Sequence, residues 1–392
     1  MFFEGDHWQY YHDNFDWPSS ASLPDMEATR KFYSDLGLSA PEADTLIASG
    51  YVSLTGQTII DRYYGGALLS SDGTTRIDRA LFKEWYGLAR SAIPLSSQVM
   101  VSTATSIADL EEQIQQLQQR IGHQLLYRGQ TMHYPLTRAI TNPALLVAEF
   151  GEPSFVPSIW RRMLATQPNS FHHFNGLSLF EWSKIIYSQF DKEDIDRRVA
   201  KENITGMHFS AQDMEDSDDQ VLSLFGRVRL DLEMGINLNL ADLLNTLMQH
   251  YGLASPYLDL TADLRTGFFF ASHEFNSGSP LSTYRHVGNN GGKSVIYVFR
   301  RKKDEMAEYA KDRVLHDLNP LRPERQSCVI CRSSPYAINL AGLYLVAIFR
   351  IGFELPSSDR LSTSDLFPAP KDDRFLSAIL KQCFQSNLVT QF

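Results

Sequence analysis

Cysteine is scarce: the chain of 392 residues has three, at positions 328, 331 and 383. So few, in odd number, build no disulfide framework. The N-terminus, MFFEGDHWQYYHDNFDWPSS, is aromatic and acidic, without the basic start and apolar run of a secretory leader. Both absences lead us to expect a reducing compartment, the cytoplasm. Long hydrophobic runs are also missing. LAGLYLVAIFRIGF comes nearest to the roughly 20 apolar residues of a membrane span, but it is shorter and reads as a buried strand, so no membrane association is expected.

A basic excess is the third absence. Formal net charge is −10, and the clusters Arg161-Arg162, Arg197-Arg198 and Arg300-Arg301-Lys302-Lys303 sit beside acidic neighbours. They read as solvated faces and helix ends, so duplex nucleic-acid binding is not indicated by charge.

Familiar catalytic and metal signatures are lacking as well. Gly-x-Ser-x-Gly does not occur, and Gly288 to Gly292 is a turn before a strand, since no Gly-Lys-Ser/Thr follows it. His172-His173 lacks the acidic, spaced partner of a metalloprotease helix. Cys328 and Cys331 have ligand spacing, but there is no second cysteine pair and no suitably placed histidine pair. In an apolar strand they read as small buried hydrophobes, and no metal site is expected. Cys383 belongs to no recognisable Cys-His signature.

What remains is a globular composition, 43% hydrophobic and 21% charged, long enough to bury a core without staples. Residues 1–105 read as an N-terminal module or extension, with helices around Met26 to Leu36 and Ile77 to Arg90. Residues 106–392 read as the main domain. Ser106 caps a helix, with Asp109 at its third position. Ile107, Leu110, Ile114, Leu117 and Ile121 recur at three- and four-residue steps, and Gly122 ends it. Strands follow at Gln124 to Gln130, Ser294 to Arg300 and Leu343 to Ile351. Further helices are expected at Phe180 to Phe190, Asp219 to Met234, Leu240 to His250 and Arg374 to Cys383. The fold class is therefore α+β, a central, largely antiparallel sheet surrounded by helices.

Four segments then stand in order. Leu126-Tyr127-Arg128-Gly129-Gln130 precedes Pro135-Leu136-Thr137-Arg138. Gln249-His250-Tyr251-Gly252-Leu253 continues through Leu258-Asp259-Leu260-Thr261 to Phe268-Phe269-Phe270-Ala271. Arg322 to Ile330 reads as a strand in which an arginine is followed by Gln326, and Leu366-Phe367-Pro368 precedes a closing helix. This set, over residues 106 to 385, resembles the FRG domain, a bacterial-type family named for its Phe/Tyr-Arg-Gly motif. The chain departs from it in three places. Ala254-Ser255-Pro256-Tyr257 stands where Pro-Thr-Arg is usual, Leu260 replaces a tryptophan, and Ser327 stands where a glycine is usual.

Individual residues admit two readings each. Arg128, between Tyr127 and Gly129, offers a planar fork for a phosphate or carboxylate, or it pairs internally with Asp259 to tie two segments together. Gly129 permits close approach of a ligand to the backbone. His250 gains from a helix C-terminus, or with Tyr251 it stacks on or hydrogen-bonds a nicotinamide-like ring. Asp259 and Thr261 point the same way on an extended stretch. Asp259 then orients Arg128 or His250, and Thr261 caps the helix through Phe269. Alternation puts Glu324 and Gln326 on one face.

A second likeness is to the ADP-ribosyltransferases, which use an early strand arginine, a middle hydroxyl segment and a late acidic residue. It implies NAD as substrate, with Arg128 on its diphosphate and Ser255 or Thr261 bracing the site. Glu324 or Gln326 would support an oxocarbenium-like transition state, although only Glu324 carries the charge this needs. The implied protein is a toxin-like or phage-defence effector that modifies a macromolecular target. The alternative is a non-catalytic module that senses a nucleotide or other anion, or binds a protein; the missing arginine and Gln326 favour it.

Overall fold

The computed structural model describes residues 26–35, 37–48, 99–136, 145–155, 179–202, 211–233, 258–276, 283–301, 306–308, 313–331 and 339–382. It also describes 244, 247 and 249–251, and the strands 51–53, 58–61 and 67–70. Seven strands form the central sheet: β1 (Met100–Ala104), β2 (Leu125–Gln130), β3 (Leu258–Thr261), β4 (Val295–Arg300), β5 (Met306–Glu308), β6 (Cys328–Cys331) and β7 (Leu345–Ile351). Their spatial order is β5-β6-β3-β2-β4-β7-β1. Every neighbouring pair is antiparallel except β7 with β1, which is parallel. The α+β class is as expected. β1 lies within residues 1–105 yet forms the sheet's edge, so a boundary after residue 105 falls inside the sheet rather than between modules.

The helices that frame the sheet are α1 (Ile107–Ile121), α2 (Leu179–Tyr187), α3 (Lys192–Lys201), α4 (Gln220–Glu233), α5 (Leu264–Ser272), α6 (Arg313–Leu318), α7 (Leu321–Arg325), α8 (Thr363–Leu366) and α9 (Arg374–Gln382). The N-terminal helix Met26–Asp35 also forms, whereas the one expected at Ile77 to Arg90 lies outside the described residues. Local chemistry sets the ends of α1. Ser106 Oγ accepts from the Asp109 amide, and Gly122 takes the left-handed conformation, φ 68°, that releases the chain into β2.

Leu110, Ile114 and Leu117 of α1 pack with Leu125 and Tyr127 of β2, Ile296 and Val298 of β4, Ala347 and Phe349 of β7, and Phe268 of α5. A second core joins Ile185 and Ile186 of α2, Val228 and Leu232 of α4, Val314 and Leu315 of α6, and Phe375 and Ile379 of α9 to Tyr251, Cys328 and Ile330. Among the described residues no helix is long and apolar enough to cross a membrane.

Among the described residues the sheet has one weak seam. β2 pairs with β4 along its whole length, but it meets β3 at a single registered pair, Tyr127 opposite Thr261. Arg128 is the next residue on β2, at that seam.

Candidate functional site

The register of β3 against β6 assembles the polar centre. Cys328 stands opposite Thr261 and Ile330 opposite Asp259. Because side chains alternate, Asp259, Thr261 and Cys328 share one face. His250, just ahead of β3 in the chain, is buried against them. Its Nε2 lies 3.2 Å from Cys328 Sγ and 3.3 Å from Asp259 Oδ2, and its Nδ1 lies 3.0 Å from Gln326 Oε1.

The amide of Gln326 settles the tautomer. Its Nε2 donates to the Leu366 carbonyl, so Oε1 faces His250 as an acceptor and Nδ1 carries the proton. Nε2 therefore presents a lone pair to the thiol and the carboxylate. Burial holds the imidazole neutral, pushing its pKa down to about 3 despite the Gln326 bond, and the Arg322 charge adds to this. Burial pushes Asp259 up to about 7 against the pull of Arg128 and a hydrogen bond from Cys328. Burial also raises the Cys328 thiol well above its ordinary value, and the Asp259 charge works the same way. Asp259 Oδ1 is buried and has no hydrogen-bond partner among the described residues.

Arg128 is one position out of phase with Tyr127 and Thr261, so it reaches Asp259 from the other side of the strand. It donates from Nη1 to the main-chain carbonyl of Asp259 at 2.7 Å. Arg128 thus meets Asp259 through its main chain, where pairing with the carboxylate was expected. Tyr297 stands opposite Arg128 on β4, and its hydroxyl, 2.5 Å from His133 Nδ1, donates to it, because His133 Nε2 donates to the Phe150 carbonyl. Burial keeps Tyr284 and Tyr297 protonated, and the charges of both Arg322 and Arg128 act on Tyr284. Arg322 is 1% exposed, donates to the His250 carbonyl and lies over the Tyr251 ring at 5.0 Å.

Several expectations need correction. Glu324 and Gln326 do not alternate on a strand. Residues 321–325 form α7, Ser327 turns the chain at φ 46°, and the strand begins only at Cys328. Pro323 is compatible with the helix because it sits in the first turn, where amides have no helical partner. As a result Glu324 is exposed and lines a groove whose walls do not include Arg128, while Gln326 is sealed beneath His250 and Leu366. The strand read from Arg322 onward shortens for the same reason.

Gly129 is approached not by a ligand but by helix α5. A Cβ there would lie 1.8 Å from the Gly267 carbonyl oxygen and 2.6 Å from the Ala271 nitrogen. Thr261 does not cap α5. Asp263 does, accepting from the Arg265 and Thr266 amides. Thr261 instead donates to the Gln326 carbonyl at 2.7 Å and accepts from the Asp263 amide at 3.0 Å, tying β3 to the turn after α7. Tyr251 offers no ring face to a ligand. It is fully buried between Arg322 and Phe375, and its hydroxyl donates to Asp373. His250 is likewise enclosed, and Tyr127 packs in the α1 core. Ser255 lies outside the described residues, as do His172, His173 and Cys383.

The structure thus brings Arg128, His250, Asp259, Thr261 and Gln326 together and leaves Glu324 apart. Four participants were missed. Cys328 reads as an inert hydrophobe because its strand is apolar, and Arg322, Tyr284 and Asp373 become neighbours only through long-range packing. Arg322 opened the segment read as a strand, but nothing local to it showed that it would be buried. Comparison with protein-family models, with curated proteins and with solved structures finds no match to this chain.

Proposed function

We propose that the chain is an FRG-type module that binds an anionic, nucleotide-like ligand at Arg128, with NAD and ADP-ribose as the expected members. Arg128 carries this reading. It is a half-buried guanidinium placed at the one loosely paired seam of the sheet and oriented by the Asp259 carbonyl. A planar fork so oriented suits a phosphate. Tyr284, kept as a phenol beside two arginines, adds a hydroxyl that can donate to the same anion.

Binding is favoured over group transfer. The residues that the transferase resemblance assigns to the transition state do not reach Arg128 in a usable form, Glu324 being exposed elsewhere and Gln326 uncharged and sealed. Asp259, whose main chain meets Arg128, is held partly protonated near neutral pH by burial.

Heat-unfolding midpoints with NAD, ADP-ribose, ATP and nicotinamide, for wild type and Arg128→Ala, test the reading. Ligand at a hundred times its Kd stabilises the native state by about 2.7 kcal/mol. NAD or ADP-ribose should raise the wild-type midpoint and leave the variant's unchanged. Equal shifts in both proteins, or none in either, would refute the assignment. Release of nicotinamide or transfer of label from NAD would show that the site is catalytic after all.

A further inference from the structure

We propose that His250, Asp259 and Cys328 form a site for one divalent transition-metal ion, zinc being the ion their donors suit. A nitrogen, an oxygen and a sulfur donor lie within 4.8 Å of one another. Tetrahedral zinc, with bonds of about 2.0 to 2.3 Å, sets its donors roughly 3.3 to 3.6 Å apart. The observed separations of 3.2 Å from Nε2 to Sγ and 3.3 Å from Nε2 to Oδ2 are close to that spacing. The three atoms belong to segments held by sheet register and core packing, so little rearrangement is required.

The surroundings have the features of a ligating centre. A metal-bound imidazole donates its other ring nitrogen to a fixed acceptor, which sets its orientation and basicity. Gln326 Oε1 is that acceptor, held in turn by the Leu366 carbonyl and by the Thr261 bond to the Gln326 main chain. Asp259 has a second, buried oxygen with no hydrogen-bond partner among the described residues, a feature that is costly unless a cation or proton compensates it. Binding displaces the thiol proton and any proton on Asp259 to solvent, leaving a thiolate, a carboxylate and a neutral imidazole. Their two negative charges match the ion's two positive ones, so the filled site is neutral beside Arg128.

A groove of about 690 Å³ lies beside the site, lined by Cys328 together with Ala262, Ser327 and Glu324. A water would complete the coordination. This inference does not depend on ligand binding at Arg128, and it differs from a cysteine-pair site: Cys331 does not belong to the cluster.

The full chain, purified without chelator, should retain one equivalent of zinc by elemental analysis. After exchange into cobalt it should show tetrahedral visible bands and a thiolate charge-transfer band. A Cys331→Ser/Cys383→Ser double variant should keep both signals, and Cys328→Ser should lose them. Gln326→Met should weaken cobalt affinity by roughly 10- to 100-fold, the usual cost of removing an outer-shell partner. A folded wild-type protein that takes up less than a tenth of an equivalent, or a Cys328→Ser variant that keeps the bands, would overturn the proposal. Should Cys328→Ser not fold, absence of the charge-transfer band from the folded double variant would overturn it just as directly.

Discussion

Replacing Gly129 by alanine probes the contact that sets α5 against β2. The added Cβ would sit 1.8 Å from the Gly267 carbonyl oxygen, 2.6 Å from the Ala271 nitrogen and 2.9 Å from the Gly267 carbonyl carbon. All three obstacles are backbone, so no side-chain rotation relieves them. Strand and helix must part by about 1 Å, which opens Phe268 and Ala271 from the α1 core. Overpacking of this kind costs about 1 to 3 kcal/mol where side chains adjust, and a backbone clash falls at or above the upper end. At roughly 2 to 4 °C per kcal/mol for a domain of this order, the melting temperature should fall by about 6 to 12 °C. Gly267→Ala is the internal control. Its added Cβ meets only the Tyr127 Cβ, at 3.2 Å, which a shift of a few tenths of an ångström relieves. Calorimetry of the two variants decides the matter. A Gly129→Ala midpoint within 1 °C of wild type, or a larger loss for Gly267→Ala, would refute the packing argument.

Other outcomes follow from the same geometry. Asp263→Ala removes the acceptor for two first-turn amides of α5 and for the Thr266 hydroxyl; it should cost about 1 to 2 kcal/mol, read as a lower denaturant midpoint at unchanged slope. Ser106→Ala should cost about 1 kcal/mol by loss of the α1 cap, measured in the same way. His133, half-buried, has its pKa lowered by burial, against the Phe150 bond and with help from the Arg350 charge. A depressed folded-state value means its contribution is present above the ordinary histidine pKa near 6.5 and is lost as pH falls below it. The melting temperature of wild type relative to His133→Gln should therefore decline between about pH 7 and pH 5; a difference that does not change with pH would remove His133 from the account.

Local signals were enough for much of the fold. Ser106, Asp109, Gly122 and the apolar stripe between them specify α1 because capping and helical periodicity act within a few residues. The apolar run into Gly129 likewise specifies β2, and the alternation of such strands with helices gave the α+β class. Residues 128, 250, 259, 261 and 326 could be nominated as a group because they fall in segments read as one ordered set of motifs. Their roles could not be assigned in this way. Either a ligand or a packed helix leaves no room for a Cβ at residue 129, and only the position of α5 shows that the helix is what excludes it. A period of two was read across Glu324 to Gln326, although three residues are too few to separate a strand from one turn of helix entered through Pro323. Cys328 lies 78 residues from His250 and became its neighbour when β6 paired with β3 in one particular register. A shift of one residue would have turned the thiol to the opposite face. Periodicity and caps are properties of neighbours in the chain. The polar centre is a property of strand pairing and of the burial that shifts its protons, and both arise only when distant segments close over it.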